Sequence, residues 1–148
     1  MPEIVHAEDR AGDFNCVLPS LGPFIFREFV ADASPELKAR WLPRLESGEQ
    51  MIGLGLTESE AGSDMGAIRT RAEKRASAYG LNGERNSVSF LTADVFYVFA
   101  RTDPSTTDWS GLSAFLIPRD ARGLSFQAYE DMGCRATGRA LSRRRSGG

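Results

Sequence analysis

The sequence predicts an α+β chain in which a short helical N-terminal segment is followed by an antiparallel β-barrel or β-sandwich domain. Three observations carry this. Apolar residues recur at helical spacing only in the first third of the 148 residues. From Met51 onward they alternate with polar residues or run in short blocks bounded by turn signals. No helix-length pattern separates those blocks, which points to antiparallel pairing rather than βαβ units.

The elements follow in order. Val17, Leu18, Leu21, Phe24, Ile25 and Phe29 share one helical face, interrupted at Gly22-Pro23, so a helix starts or restarts near Pro23. A second start is marked by Ser34 as N-cap, Pro35 at the first helical position and Glu36 in the first turn. Leu37, Trp41 and Leu45 then stand four residues apart, and Gly48 offers the stop. Pro43 removes a donor inside this helix and should kink it. Helices this short cannot cover each other's apolar faces and must pack on something else.

The period then changes. Met51 to Leu56 is an apolar run with two glycines, followed by a polar loop from Thr57 to Gly66. Ile68, Thr70 and Ala72 alternate with Arg69, Arg71 and Glu73, as on a half-exposed strand, with a charged helix as the competing reading. Asn82-Gly83 signals a tight turn between Tyr79-Leu81 and the segment up to Phe90. Val95 to Ala100, Leu112 to Ile117 and Leu124 to Tyr129 read as strands, joined by turns at Asp103-Pro104 and Pro118 to Gly123. Beyond Arg135, with Arg139, Arg143, Arg144 and Arg145 among serines and glycines, the pattern is that of a solvated, disordered end. The domain division is therefore 1–48 helical, 49–136 β, and 137–148 an Arg-rich tail.

Composition narrows the function classes. With 26% charged residues, 41% hydrophobic residues and a net charge of −2, the chain has no general attraction to nucleic acid or to an anionic membrane. The Arg139 to Arg145 cluster lacks the interleaved aromatics of a nucleic-acid surface. Cys16 and Cys134 fit no metal or redox spacing and read as reduced thiols, and His6 is the only histidine. No secretory signal or membrane span is predicted, so a soluble, cytoplasmic protein is expected.

The segment Gly55-Leu56-Thr57-Glu58-Ser59-Glu60-Ala61-Gly62-Ser63-Asp64 is the richest in chemistry. A strand runs into a small-residue turn with hydroxyls at Thr57 and Ser63, where backbone amides can approach a planar or anionic ligand. Composition alone favours a capped surface loop, with Asp64 or Ser63 as N-cap. The turn is no phosphate loop, because the Gly-Lys-Ser/Thr ending is missing.

The string from Gly55 to Ala67 resembles the first signature of the acyl-CoA dehydrogenase family, T-E-P-x-x-G-S-D, with Ser59 in the proline position. I-R-T-R-A-E (Ile68 to Glu73), L-N-G-E (Leu81 to Glu84), A-D-V-F-Y-V-F-A-R-T-D-P (Ala93 to Pro104), A-F-L-I-P-R-D (Ala114 to Asp120) and E-D-M-G-C-R-A (Glu130 to Ala136) are similar to family segments in the same order. P-E-L-K-A-R-W-L-P-R-L-E-S-G-E (Pro35 to Glu49) is similar to the helix that precedes the family's middle β domain.

The resemblance implies FAD as cofactor and α,β-dehydrogenation of an acyl-CoA thioester, with hydride transfer to the flavin. It places Thr57 against the pyrimidine side of the isoalloxazine, and the backbone of Leu54, Gly55 and Leu56 along the same edge. Ser63 matches the serine that meets the thioester arm. Ser87-Val88-Ser89 matches the stretch whose last hydroxyl reaches the flavin N5 and O4 region. Ser87 replaces a bulky aromatic that packs on the flavin, and Phe90-Leu91 replaces Asn-Gly, with Phe90 an aromatic that can compensate. The family's base is a glutamate of a C-terminal helical domain, so no catalytic residue is assigned in this chain. Glu58 reads as a loop anchor and Glu60 as solvated. The expectation is a fragment-like member, inactive alone, with electron-transfer flavoprotein as the family's redox partner and a homo-oligomer or complementing subunit as further partners. The alternative is a non-catalytic β domain acting as a subunit-association module.

Overall fold

The computed structural model describes residues 33–75, 78–130 and 139–144. The apolar stripe from Val17 to Phe29, His6, Cys16, Cys134 and the stretch from Met132 to Ala136 lie outside them. The helix α1 spans Pro35–Glu46. Ser34 is extended and its Oγ accepts the Leu37 N–H at 3.4 Å, so one of the orphan first-turn donors is satisfied. The helix continues past Pro43 for three residues, and Gly48 follows its end at φ 69°, the left-handed conformation a side chain resists.

Among the described residues seven strands follow: β1 (Ile52–Gly55), β2 (Arg71–Arg75), β3 (Ala78–Ser89), β4 (Val95–Arg101), β5 (Leu112–Pro118), β6 (Leu124–Ala128) and β7 (Arg139–Arg144). They form one sheet in the hydrogen-bonded order β1-β4-β2-β3-β7-β6, with β5 paired to β4 and β1 also touching β3. The result is the α+β, sandwich-like architecture expected. Ile68, Thr70 and Ala72 are buried while Arg69, Arg71 and Glu73 are exposed, and the strand reading holds over the helical one from Arg71 onward, where β2 begins.

Three expectations are corrected. The sheet is mixed, not antiparallel: β1 runs parallel to β4 over Ile52↔Val95 to Gly55↔Val98. The whole β2–β3 hairpin lies between these two strands in sequence, which supplies the crossover that a parallel pair requires. Asn82-Gly83 is not a turn but lies inside β3, where Asn82 pairs with Arg71. Gly83 is there for close approach, because a Cβ on it would overlap the Thr70 side chain. Finally, part of the arginine-rich end is ordered. Residues Arg139–Arg144 form β7, hydrogen-bonded to β3 on one side and β6 on the other. Composition is blind to this because ladder pairing is a property of the backbone.

Strand β4 divides the core. Val95 and Tyr97 pack with Trp41, Leu45, Ile52 and Leu54 under α1. Phe96, Val98 and Ala100 point the other way, onto Ala72, Leu81, Val88, Phe90 and Ile117. Buried on both faces, β4 reads as an unbroken apolar run rather than an alternation. The helix thus covers one face of β1 and β4, and the other face is closed by the rest of the sheet.

The steric role of Gly83 is testable. Gly83→Ala should destabilise the chain by about 2 kcal/mol in equilibrium urea unfolding, as overpacking does. A stability unchanged within about 0.5 kcal/mol would remove the close-approach account.

Candidate functional site

The two segments singled out in the sequence, 54–57 and 87–89, meet at one end of the sheet. Leu54 pairs with Ser89 across β1 and β3. Beyond it, the Asn86 N–H donates to the Thr57 carbonyl at 2.9 Å. Thr57 is exposed, and Ser87 and Ser89 are half-buried, so three hydroxyls belong to one joined edge.

A bulge arranges this edge. Along β3, Leu81 and Arg85 are buried, which places odd-numbered residues inward. The register against β7 then slips between Asn86 and Val88. After the slip, Val88 (1% exposed) and Phe90 (3%) face the core, and Ser87 and Ser89 do not. Any ligand contact from Val88 therefore comes through its backbone. Phe90 cannot stand in for the aromatic that Ser87 replaces: it belongs to the inner core, held at φ 60°.

The loop after β1 opens with a tight bridge. The Glu58 N–H donates to the Ala61 carbonyl at 2.9 Å, and the Ala61 N–H returns a bond to the Glu58 carbonyl at 3.3 Å. Farther on, Asp64 Oδ1 accepts the Gly66 N–H at 3.0 Å and caps the 3₁₀ turn Met65–Ala67, as composition suggested. Between bridge and cap lie Gly62 and Ser63, both exposed. A Cβ on Gly62 would meet nothing within 4 Å, so the backbone faces open space there.

Glu58 anchors the loop from below. Its side chain is 8% exposed, and it accepts the Arg69 N–H at 2.7 Å, the Thr70 N–H at 2.9 Å and a bond from the Arg85 guanidinium. Arg85 is 4% exposed and also donates to the Phe99 carbonyl on β4. Burial alone would raise the Glu58 carboxyl. Hydrogen bonds from Thr70 and Arg69 and the charge of Arg85 outweigh it and hold the group below the ordinary glutamate value. Glu60 is exposed, with Arg69 3.8 Å away. The sequence singled out neither Arg85 nor Arg101. The available signal was an arginine at a core-facing parity of β3, between Leu81 and the serines, where a charge needs a buried partner.

Among the described residues there is no group of three or more His, Cys, Asp or Glu side chains that could hold a metal ion, nor a helix long and apolar enough to cross a membrane. The described residues thus form a mixed β domain that pins a hydroxyl-bearing loop beside a bulged strand. The chain belongs to the acyl-CoA dehydrogenase family: residues 53–142 match the family's middle domain. It is 39% identical over 102 residues to cyclohex-1-ene-1-carbonyl-CoA dehydrogenase of Syntrophus aciditrophicus, covering 66% of this chain and 24% of that protein. The structure superposes on acyl-CoA dehydrogenase from Geobacillus kaustophilus with a TM-score of 0.75 and 29% identity, over 80% of this chain and 32% of the other. A glutaryl-CoA dehydrogenase from Mycobacterium smegmatis, solved in complex with FADH2, matches with a TM-score of 0.70 and 31% identity, over 80% of this chain and 30% of its own. The chain thus spans about a quarter to a third of the length of these relatives.

The Glu58 anchor predicts a pH dependence. Its folded-state pKa lies below the unfolded value, so its contribution to stability is fully present above pH 4.5 and is lost as pH falls through the lowered value. Glu58→Gln leaves Arg85 buried without its counter-charge and should cost about 3 kcal/mol at pH 7. Urea unfolding of the two proteins should give a gap that is constant at neutral pH and narrows below pH 4.5. A gap independent of pH would show that the carboxylate charge is not what anchors the loop.

Proposed function

We propose that this chain forms the flavin-facing edge of a FAD-dependent acyl-CoA dehydrogenase, with Thr57 and Ser89 as hydrogen-bonding groups on the isoalloxazine. The backbone of Leu54, Gly55 and Leu56 lines the same edge, Ser87 and Val88 continue it along β3, and Ser63 lies toward the acyl-CoA thioester. One observation carries the reading. The Leu54↔Ser89 pair and the bond from Asn86 to Thr57 join the two segments that hold these hydroxyls, and the bulge keeps Ser87 and Ser89 out of the core.

The residues fit such a group. Thr57 and Ser63 are exposed, and Gly62 leaves the loop backbone open to a planar ligand. When bound, the flavin supplies hydride acceptance from the acyl β-carbon. The chain's own part is orientation and electrostatics: donors at a fixed edge stabilise negative charge on the ring without reorganising at the moment of reaction. Neither loop carboxylate suits proton abstraction. Glu58 is buried and fully engaged, and Glu60 is a solvated side chain paired with Arg69. We therefore assign the base to residues outside this edge, and electron-transfer flavoprotein to reoxidation.

Fluorescence titration with FAD tests the proposal. The full chain should quench flavin emission, and Thr57→Ala with Ser89→Ala should weaken binding about tenfold, as expected for two lost hydrogen bonds. Adding an acyl-CoA anaerobically should leave the flavin oxidised. Undiminished binding by the double variant would reject the assigned edge, and bleaching of the flavin would reject the assignment of the base to groups outside the described edge.

A further inference from the structure

The loop that carries Thr57 and Ser63 is held from both ends by arginines that come from strands far away in sequence. At its start, Arg85 on β3 joins the Glu58 carboxylate to the Phe99 carbonyl of β4, and Glu58 in turn holds the amides of Arg69 and Thr70. At its far end, Arg101 on β4 donates from Nη2 to the Gly66 carbonyl at 2.6 Å. Nη1 of the same guanidinium reaches the Thr106 carbonyl at 2.9 Å, Thr106 Oγ1 at 3.0 Å and the Asp108 carbonyl at 3.1 Å. Both arginines use the planar fork to span acceptors on separate segments, which a lysine ammonium cannot reproduce. The crown between these anchors is different. Gly62 and Ser63 are exposed, and among the described residues their amides donate to no protein acceptor.

We propose that Glu58, Arg85 and Arg101 are positioning residues that hold residues 57–67 as a preformed arch, clamped at both feet and unpaired at its crown. The arch fixes Thr57 against the end of β3 and presents the crown amides outward, so that a ligand meets donors already in place. Its consequence for flavin affinity rests on the function proposed above; its consequence for the loop does not. Arg85 and Arg101 anchor opposite feet through different acceptors, so the two clamps can be loosened separately.

Amide hydrogen exchange of the full chain, read residue by residue by NMR, separates the two consequences. Glu58→Gln and Arg85→Lys should each speed exchange of the Asn86, Arg69 and Thr70 amides at least a hundredfold. Arg101→Lys should do the same for Ala67 and Ile68, whose N–H groups bond Asp64 and Met65. In all three, amides of the β4–β5 ladder should keep their protection. Phe115→Ala, which strips the contact with the Tyr79 ring at the opposite end of β3, serves as a control of general destabilisation. In FAD titrations the three clamp variants should bind at least tenfold more weakly than the parent, and the control within twofold. Should Glu58→Gln fail to fold, Arg101→Lys tests the other foot alone. Unchanged exchange at Ala67 and Ile68 in Arg101→Lys, or at Asn86 in both variants of the first foot, overturns the arch. Equal loss of affinity in the control overturns the positioning role. If the parent chain shows no FAD binding while the exchange results hold, the flavin reading falls and the arch stands.

Discussion

The geometry of the candidate site depends on one buried ion pair. Glu58 and Arg85 are distant in the chain: Glu58 follows Thr57 of the proposed flavin edge, and Arg85 precedes Asn86, whose N–H donates to the Thr57 carbonyl. A buried pair of this kind is weak evidence for stability, since desolvation offsets much of the attraction. Its value here is positional. The carboxylate also holds two amides of the segment entering β2, and the guanidinium holds a carbonyl of β4, so four stretches of backbone are tied to one point. Removing either partner leaves an uncompensated charge in a site closed to water, which is why the arrangement tolerates little change.

Arg85 borders the inner apolar cluster, beside Leu81, Val98 and Ile117. Under α1, Trp41 and Leu45 pack on the outer faces of β1 and β4; on the other side, Phe96 and Val98 pack on Val88, Phe90 and Ile117. Strand β4 belongs to both, and β1 lies parallel beside it. The end of β1 therefore emerges at a height set by two cores, and Thr57 inherits that placement. The bulge in β3 completes the edge from the other side. Without it, the period of two would carry Ser87 and Ser89 inward with Arg85 and send Val88 to the surface.

The division of chemical labour follows from the same residues. Hydroxyls and backbone amides at the edge can orient a flat, electron-accepting ring, but the nearby carboxylates are committed elsewhere. Glu58 is an anchor and is kept ionised by its donors; Glu60 is in solvent. On the proposed function, a domain built this way contributes orientation and charge stabilisation and leaves proton transfer to groups outside the edge.

Much of this was legible in the residues. Ser34-Pro35 and Gly48 marked the helix because capping is local chemistry. The alternation from Ile68 to Glu73 and the apolar runs at β4 and β5 marked strands because burial imposes a period. Thr57, Ser63 and Ser89 stood out through a motif. What escaped were features that exist only between segments. Asn82-Gly83 has the local composition of a turn, yet Gly83 is small because Thr70 passes over it. The arginines from 139 to 144 look solvated, yet their backbone is paired on both edges. Glu58 looked like a loop residue, and only the fold supplied Arg85 as its partner. The sequence by itself determined the elements and the family resemblance, since both are written in neighbouring residues. The tertiary structure alone decided the parallel pairing, the parity change at the bulge and the clamps on the loop, since each depends on which distant segment arrives to complete it.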